Sequence, residues 1–344
     1  VHDQVRSRLH GSNTAQQARR SGGVPRALGL AGVLTLIALV FATFVRPWML
    51  QWGATDVEAL MPLPGDEIIP NAVHQETRAI TIHASADRVW PWLAQLGQDR
   101  GGFYSFDLLE NIVGSEMPTV DVPRPDKQTW QLGDKLWMYP SDKAGGAGFA
   151  TLRSYIPGRV LGFGTRASGT ALSEPENGSW TFALVALGDS ATRLLVRGRL
   201  APGRSVAGRV FDSAIFDPAH FVMERRTMIS LAQLAEGSDR HRVANHVHVA
   251  LWTITFGLFV ATLVLTVRRR RWGWPAGSVV GVAAVFQILT LVQPPPVLGA
   301  ALVTAVAAFT VRVARIARAK DVNSDGEGSV QSGKGARAGR RAAT

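Results

Sequence analysis

Two residues in the second half of the chain are spaced for proton transfer. His220 and Glu224 are four positions apart in DPAHFVMERR, and side chains at this spacing share one face of a helix. That face continues into apolar residues, where a carboxylate has a raised pKa and can act as an acid or base near neutral pH. The alternative interpretation is structural, with Glu224 paired to Arg78 or Arg100 so that it holds the helix to a sheet.

A second polar group lies in QDRGGFYSFDLLENIVG, residues 98–114. Since loops often carry function, a gate that orients a ligand at a cavity entrance could be formed by Arg100, Tyr104, Asp107, Glu110 and Asn111. Asp107 is also a third candidate for acid/base chemistry. The alternative is that the two glycines make a turn, the aromatic residues fill the core and the charges are solvated.

The remaining candidates are apolar, and they could line a ligand cavity or simply form core. With Arg100 and Tyr104, the predicted ligand-binding set comprises Trp92, Leu93, Trp137, Phe163, Phe182, Phe221, Met228 and Leu231.

Signals for other chemistry are missing. The chain has no cysteine, which excludes disulfides, thiolate metal sites and a cysteine nucleophile. It contains no G-x-S-x-G, Walker A or H-E-x-x-H motif, and no nucleotide-binding glycine pattern that opens a helix. The histidines at 241, 246 and 248 could bind a metal, although a role at a membrane interface is favoured. We predict no cofactor and no resident metal.

The elements around these residues indicate an α+β domain. Apolar alternation and Pro-Gly, Asn-Gly and Gly-Asp turns predict antiparallel strands. A helix over VWPWLAQLG is predicted to begin after Ser85 or Asp87, and a long C-terminal helix to begin with Asp217 as N-cap and Pro218 in its first turn. The predicted strands span residues 78–82, 135–139, 149–156, 159–166, 179–187 and 192–200.

Apolar runs outside this domain predict about four transmembrane helices. Their titratable side chains are His248 and Arg312; the fourth run is uncharged over 297–311 and is short, but it extends if Arg312 snorkels to the interface. The others are close to the length that crosses a bilayer. The first, which follows an arginine-rich segment, is expected to be an uncleaved signal anchor. The predicted organisation is a basic cytoplasmic tail 1–26, spans 27–45, 247–267, 272–292 and 297–313, a linker 46–76, a domain 77–240 and a disordered basic tail 314–344.

Charge indicates the orientation of these spans. The net charge is +11, but residues 46–246 hold 20 basic and 22 acidic side chains, so the excess lies beside the apolar runs. A nucleic-acid-binding domain would carry that excess on its own surface, so nucleic acid is not an expected partner. The positive-inside rule places both termini in the cytoplasm and the domain outside, in a multi-pass protein of the cell membrane.

The order of these blocks resembles a known superfamily. TRAITI, VWPWLAQLG, DRGGFYSFDLLEN, WQLGDKLWM and DPAHFVMERR together are similar to START/Bet v 1-like (SRPBCC) proteins, more closely the membrane-anchored bacterial branch described as polyketide cyclase/dehydrase-like. The resemblance covers about residues 76–237 and implies a helix-grip fold, in which an antiparallel sheet surrounds a long C-terminal helix. The superfamily includes lipid carriers, ligand sensors and a few cyclases, so the fold does not decide the function.

Three functions are therefore open. The preferred one is a membrane-tethered module that binds a lipid or other hydrophobic small molecule. The second is a cyclase, aromatase or dehydratase-type enzyme that uses His220, Glu224 or Asp107 as acid or base. The third is an envelope interaction module without a ligand. An open cavity with two converging titratable groups would favour the second, and a filled interior the third.

Overall fold

A computed structural model was obtained for this chain. It describes residues 32, 35–118, 120–143, 148–166, 171–238, 241–268 and 273–316, with no side-chain description for 267–276. The predicted basic tails and the beginning of the first predicted span lie outside these residues.

The helices and strands follow the predicted order. The helices are α1 (Thr35–Leu50, with a π-helical turn at Phe41–Val45), α2 (Asp56–Leu60), α3 (Ala86–Ala94), α4 (Asp107–Ile112), α5 (Val206–Phe211, a π-helical turn at Asp212–Phe216, then Asp217–Ala235), α6 (His241–Arg268), α7 (Gly273–Gln287, then a π-helical turn at Ile288–Val292) and α8 (Pro296–Ile316). The strands are β1 (His74–Ile82), β2 (Lys135–Trp137), β3 (Phe149–Ile156), β4 (Val160–Thr165), β5 (Gly178–Ala186) and β6 (Thr192–Leu200).

The strands form one antiparallel sheet in the order β1-β6-β5-β4-β3-β2. Each predicted strand is present, and β1 begins four residues earlier than the apolar alternation indicated. Consecutive strands from β2 to β6 are neighbours, as expected for hairpins, and β1 closes against β6. The second half of α5 packs on α3 and on β1. The architecture is consistent with the predicted helix-grip fold.

The C-terminal helix is longer than the sequence indicated, and the prediction that Asp217 caps it is wrong. Ser205 is the N-cap, and its side chain accepts a hydrogen bond from the backbone N–H of Gly208. Asp217 lies inside the helix, and its carboxylate pairs with Arg46. Proline normally interrupts a helix because it lacks an N–H and clashes one turn back, but here a wider π-helical turn precedes Pro218.

The main core fills the space between the sheet, α3 and the second half of α5. Its aromatic and aliphatic side chains are buried almost completely, and Trp130 donates its indole N–H to the carbonyl of Ala94. Tyr104 has a left-handed backbone, with φ of 55°, that turns its ring into this core beside Trp92. Little room therefore remains between α3 and α5.

Two helices in the described part of the chain are long and apolar enough to cross a membrane, where four spans were expected. They are His241–Thr266 of α6 and Pro296–Ile316 of α8, identified by length and composition. The first and third expected spans correspond to shorter apolar helices, Thr35–Leu50 and Gly277–Val292.

The domain is in direct contact with the apolar helices rather than joined to them by linkers alone. Phe221 of α5 packs with Met49 of α1 and Val249 of α6 in a second small core. Arg225 donates to the carbonyl of Leu291, and the amide of Gln293 donates to the carbonyl of Val222. Side-chain hydrogen bonds therefore attach α5 to the end of α7.

Candidate functional site

A cavity of about 800 Å³ lies between the first half of α5 and the end of the sheet. Its surface is mainly apolar, with Phe103, Met117, Trp180 and Met223 among its walls. Gly198 lies opposite Trp180 in the pairing of β5 with β6, so both occupy the side of the sheet that faces α5. A Cβ at Gly198 would lie 2.7 Å from a carboxylate oxygen of Glu76, so the absence of a side chain here makes room for the Glu76 side chain.

The floor of the cavity is a buried charge cluster around Arg78. The guanidinium donates to Glu224 Oε1 and to Glu76 Oε2, each at 2.6 Å, and through Nε to the carbonyl of Met49 at 2.8 Å. The second oxygen of Glu224 accepts the indole N–H of Trp180 at 2.7 Å. Both oxygens of Glu224 are therefore engaged, which confirms the structural ion pair that the sequence offered as the alternative interpretation.

His220 lies on the cavity wall between the two carboxylates. Its Nδ1 is 3.4 Å from Glu76 Oε1 and its Nε2 is 3.8 Å from Glu224 Oε2. The ring stacks on Phe216 at a centroid distance of 5.5 Å and meets Trp180 edge-on. Burial opposes protonation of the imidazole, but hydrogen bonding to Glu76 and the charge of both carboxylates outweigh it and raise the pKa of His220.

Arg78, Glu76 and Glu224 together carry a net charge of −1 when His220 is neutral, because one arginine is paired with two carboxylates. Burial alone would raise the pKa of Glu76, but the charges of Arg78 and His220 outweigh it and hold that pKa at about 2. Protonation of His220 balances the charges, which explains why its pKa and that of Glu76 move in opposite directions.

Glu110 also lines the cavity, outside the cluster around Arg78. Burial and, secondarily, the charge of Asp107 raise its pKa to about 7. One of its oxygens is buried without a hydrogen-bond partner in the described part of the chain. At neutral pH Glu110 is therefore a mixture of acid and carboxylate, and it can donate a hydrogen bond to a molecule in the cavity.

Glu76, His220 and Glu224 each offer a donor atom to a common point, all within 4.8 Å of one another. This geometry resembles a metal site, but Arg78 already donates to both carboxylates and Trp180 to one of them. A cation there would have to compete with a buried guanidinium, so the arrangement favours a salt-bridge cluster.

The predicted site residues fall into two groups. His220 and Glu224 line the cavity, as their helical spacing indicated. None of the ten predicted ligand-binding residues does, because the cavity is displaced from α3 toward the first half of α5. The residues that lie in the main core instead are Trp92, Leu93, Tyr104, Phe163, Phe182, Met228 and Leu231.

The other predicted residues have structural partners away from the cavity. Arg100 lies 3.6 Å over the ring of Trp130, and Trp137 packs edge-on against Phe149. Phe221 packs edge-on against Trp48 of α1 and against Trp52, two residues after the end of α1. Asp107 begins α4 and lies 4.0 Å from His246.

Sequence reasoning missed Glu76, the second carboxylate of the cluster. Glu76 and Arg78 are two residues apart on β1, so their side chains point to the same face. An acid-x-base pair at the start of a strand was the available signal, but the predicted strand began at residue 78. Trp180 was outside the predicted ligand-binding set, and its role follows from the hydrogen bond of its indole N–H to Glu224.

Comparisons with known proteins identify related structures only. No family model matches the sequence, and no curated protein matches it. Similar structures include the Zhui aromatase/cyclase from Streptomyces sp. R1128, with 14% identity over 48% of this chain and 94% of that one and a TM-score of 0.25. An AHSA1-like protein from Rhizobium etli has 14% identity over 48% and 85%, with a TM-score of 0.24.

A polyketide-cyclase-like protein from Corynebacterium glutamicum has 15% identity over 47% of this chain and 85% of that one, with a TM-score of 0.18. Identities and TM-scores this low leave the chemistry of this chain to be inferred from its own residues.

Proposed function

We propose that this chain is a membrane-tethered module that holds a lipid or another hydrophobic small molecule in the cavity beside α5. The observation that carries the proposal is a mainly apolar cavity of about 800 Å³. Ligand sites typically measure about 300–1,000 Å³, with apolar walls and a few convergent polar groups. Here His220 and Glu110 are those groups.

The charge cluster supports binding over chemistry. Both oxygens of Glu224 are occupied, and one oxygen of Glu76 is bound to Arg78. A general base needs a lone pair directed at the substrate proton. The ion pairs with Arg78 instead fix the floor of the cavity and connect β1 to α5.

The membrane part of the proposal is the four-span arrangement, with α1, α6, α7 and α8 crossing in turn and the domain on the outer side. Its support is the apolar length of α6 and α8 and the concentration of basic residues next to the apolar runs.

Filling the cavity tests the binding function. Thr227 is buried on α5 and lines the cavity, whereas Ala219 is exposed on the same helix and does not. Thr227→Phe should weaken binding of a dansylated undecanoic acid to the full chain in detergent by about tenfold, or 1.4 kcal/mol. Ala219→Phe should leave it unchanged.

Melting temperatures of both variants control for overpacking, which typically costs about 1–3 kcal/mol. If the folded Thr227→Phe protein binds the probe as tightly as the original chain, the cavity is not the binding site. Native mass spectrometry of the full chain would then show whether any lipid co-purifies.

A second candidate is an enzyme that transfers protons on such a molecule. The observation that favours it is the imidazole of His220 at the cavity wall with two carboxylates beside it. Turnover of a lipid or polyketide-like compound that His220→Asn abolishes, with the melting temperature preserved, would replace the binding function by this one.

A further inference from the structure

The first eleven residues of α5 form an arm, residues 206–216, whose large apolar side chains are exposed. Its large apolar side chains are between 44% and 69% exposed, and only Gly208, Asp212 and Ser213 are partly covered. An apolar surface of this kind on one element indicates a partner that covers it. The exposed apolar residues of the arm are Val206, Val210, Phe211, Ile215 and Phe216.

A second apolar surface lies on α4. Leu108, Leu109, Ile112 and Val113 are between 37% and 73% exposed. The arm and α4 both border the cavity, because Asp212, Phe216 and Glu110 are among its lining residues. The cavity therefore has exposed apolar residues on two of its edges.

Contacts with α1 place the arm on the side of the apolar helices. Phe221 packs against Trp48 and Trp52, at ring-centroid distances of 5.3 and 6.4 Å. Four residues earlier, Asp217 pairs with Arg46 at 2.7 Å. The more N-terminal residue of α5, Asp217, therefore contacts the more N-terminal part of α1, at Arg46, so α5 followed toward its N-terminus runs back along α1. Continuing this direction brings the arm still closer to the apolar part of α1.

Contacts with α6 place α4 at a similar depth. Phe106, directly before α4, packs on Trp252 with ring centroids 4.6 Å apart. Trp252 is eleven residues into α6, about 16 Å along a helix that rises 1.5 Å per residue. The start of α4 therefore lies beside the apolar body of α6 rather than beyond its end.

These placements select a bilayer as the partner. The exposed apolar residues of the arm and α4 lie on elements that adjoin helices proposed to cross the membrane, through Asp217 and Phe221 on α1 and through Phe106 on α6. Arg209 on the arm forms no ion pair within the described residues, so its charge is available to a lipid phosphate. Apolar side chains next to basic residues are typical of helices that lie in a membrane interface.

We infer that the arm and α4 insert into the outer leaflet and that the cavity opens onto the bilayer, so that its ligand enters from the lipid. The inference rests on the membrane tether and on the binding function proposed above. It identifies the ligand source as the membrane itself, and the partner of these exposed surfaces as lipid rather than protein.

Labels at single positions test the insertion. Because the chain has no cysteine, one introduced cysteine takes an environment-sensitive fluorophore alone. Val210→Cys probes the arm and Ile112→Cys probes α4. Leu187→Cys is the control, because Leu187 is also apolar and is 48% exposed, but it lies in the β5–β6 turn, at the end of these strands that is far from the cavity. The full-length variants are reconstituted into phosphatidylcholine/phosphatidylglycerol vesicles with and without lipids spin-labelled on the acyl chain.

The labels at 210 and 112 should emit at shorter wavelength and be quenched by the spin-labelled lipids, and the label at 187 should do neither. Labels at 210 and 112 that behave like the control would overturn the inference. A label that is shielded but not quenched by lipid would also overturn it, because a protein would then cover the surface.

Ligand entry is measured with the dansylated undecanoic acid. A Val210→Glu/Ile215→Glu variant should slow uptake from vesicles by about tenfold, because burying a carboxylate in the membrane is costly. Its uptake from detergent solution should be unchanged. Equal rates from vesicles would reject entry from the bilayer. Absence of binding by the original chain would refute the proposed function, and the quenching result would still stand.

Discussion

Replacing Arg78 by methionine should destabilise the protein more than any loss of a surface ion pair. The guanidinium is fully buried and makes two ion pairs at 2.6 Å, with Glu76 and Glu224. Breaking a buried pair from one side typically costs about 3–5 kcal/mol, because the opposite charge stays buried without compensation. For a domain of this size, that corresponds to a fall in melting temperature of about 6–20 °C.

The assay is thermal unfolding of the full chain in detergent, followed by tryptophan fluorescence. Arg153→Met is the matched control, because Arg153 makes a two-point contact with Glu176 at the sheet surface. Exposed pairs contribute about 0–1 kcal/mol, so this variant should change little.

Acidification distinguishes lost charge compensation from lost packing. Without Arg78, burial should raise the pKa of Glu76 above the unfolded value of 4.5. The Arg78→Met protein should then regain stability relative to the original chain as pH falls toward that value. The double variant Arg78→Met/Glu224→Gln should likewise be more stable than Arg78→Met alone. Equal losses in Arg78→Met and Arg153→Met, or no recovery on acidification, would refute this account of the cluster.

Three further predictions concern the pH dependence of stability, the isolated domain and the membrane topology. The pKa of Glu76 is about 2 in the folded protein against 4.5 in the unfolded chain, so the contribution of Glu76 to the free energy of unfolding is present above pH 4.5 and is lost as pH falls toward 2. The pKa of His220 is raised above 6.5 in the folded protein, so the stabilisation by His220 is present below pH 6.5 and is lost as pH rises through the folded pKa. Melting temperatures of the full chain should therefore be highest between about pH 4.5 and 6.5. The variant His220→Gln should lose the fall in melting temperature at higher pH, and an unchanged fall would contradict this role of His220. A fragment of residues 50–240 should still unfold cooperatively, but at a lower temperature than the full chain because it lacks the packing of α1 and α6 on Phe221, and an equal melting temperature would contradict that packing. Alkaline phosphatase should be active when inserted within residues 141–148 and inactive when fused after Thr344, and the reverse pattern would contradict the topology.

The fold was largely predictable because its signals are local. Each hairpin strand carries its own alternation and turn residues, and the limits of β3 and β6 were predicted to the residue. The early start of α5 was missed because Asp217 followed by Pro218 has the sequence pattern of a helix N-terminus. The π-helical turn that accommodates the proline has no recognisable sequence pattern.

The cavity was less predictable because it depends on packing between distant parts of the chain. Arg78 and Glu224 are 146 positions apart, so only the packing of α5 on β1 brings Glu224 to the local pair of Arg78 and Glu76. Apolar residues on α3 and α5 were expected to surround a space, but their side chains fill it. The cavity lies instead beside the first half of α5, and a pattern of apolar residues does not record such a gap.

The hydrogen bond from Arg78 Nε to the carbonyl of Met49 connects the charge cluster with α1. Met49 belongs to the last turn of α1, so one guanidinium contacts both α1 and the carboxylates that line the cavity. A rotation or shift of α1 would leave a buried donor without its acceptor, at a cost of about 1–3 kcal/mol, and the arginine would relax toward its carboxylates. Under the proposed function, a ligand that contacts these carboxylates would be linked thermodynamically to the position of α1. Such a ligand would favour one position of α1 to the same extent that this position favours the ligand.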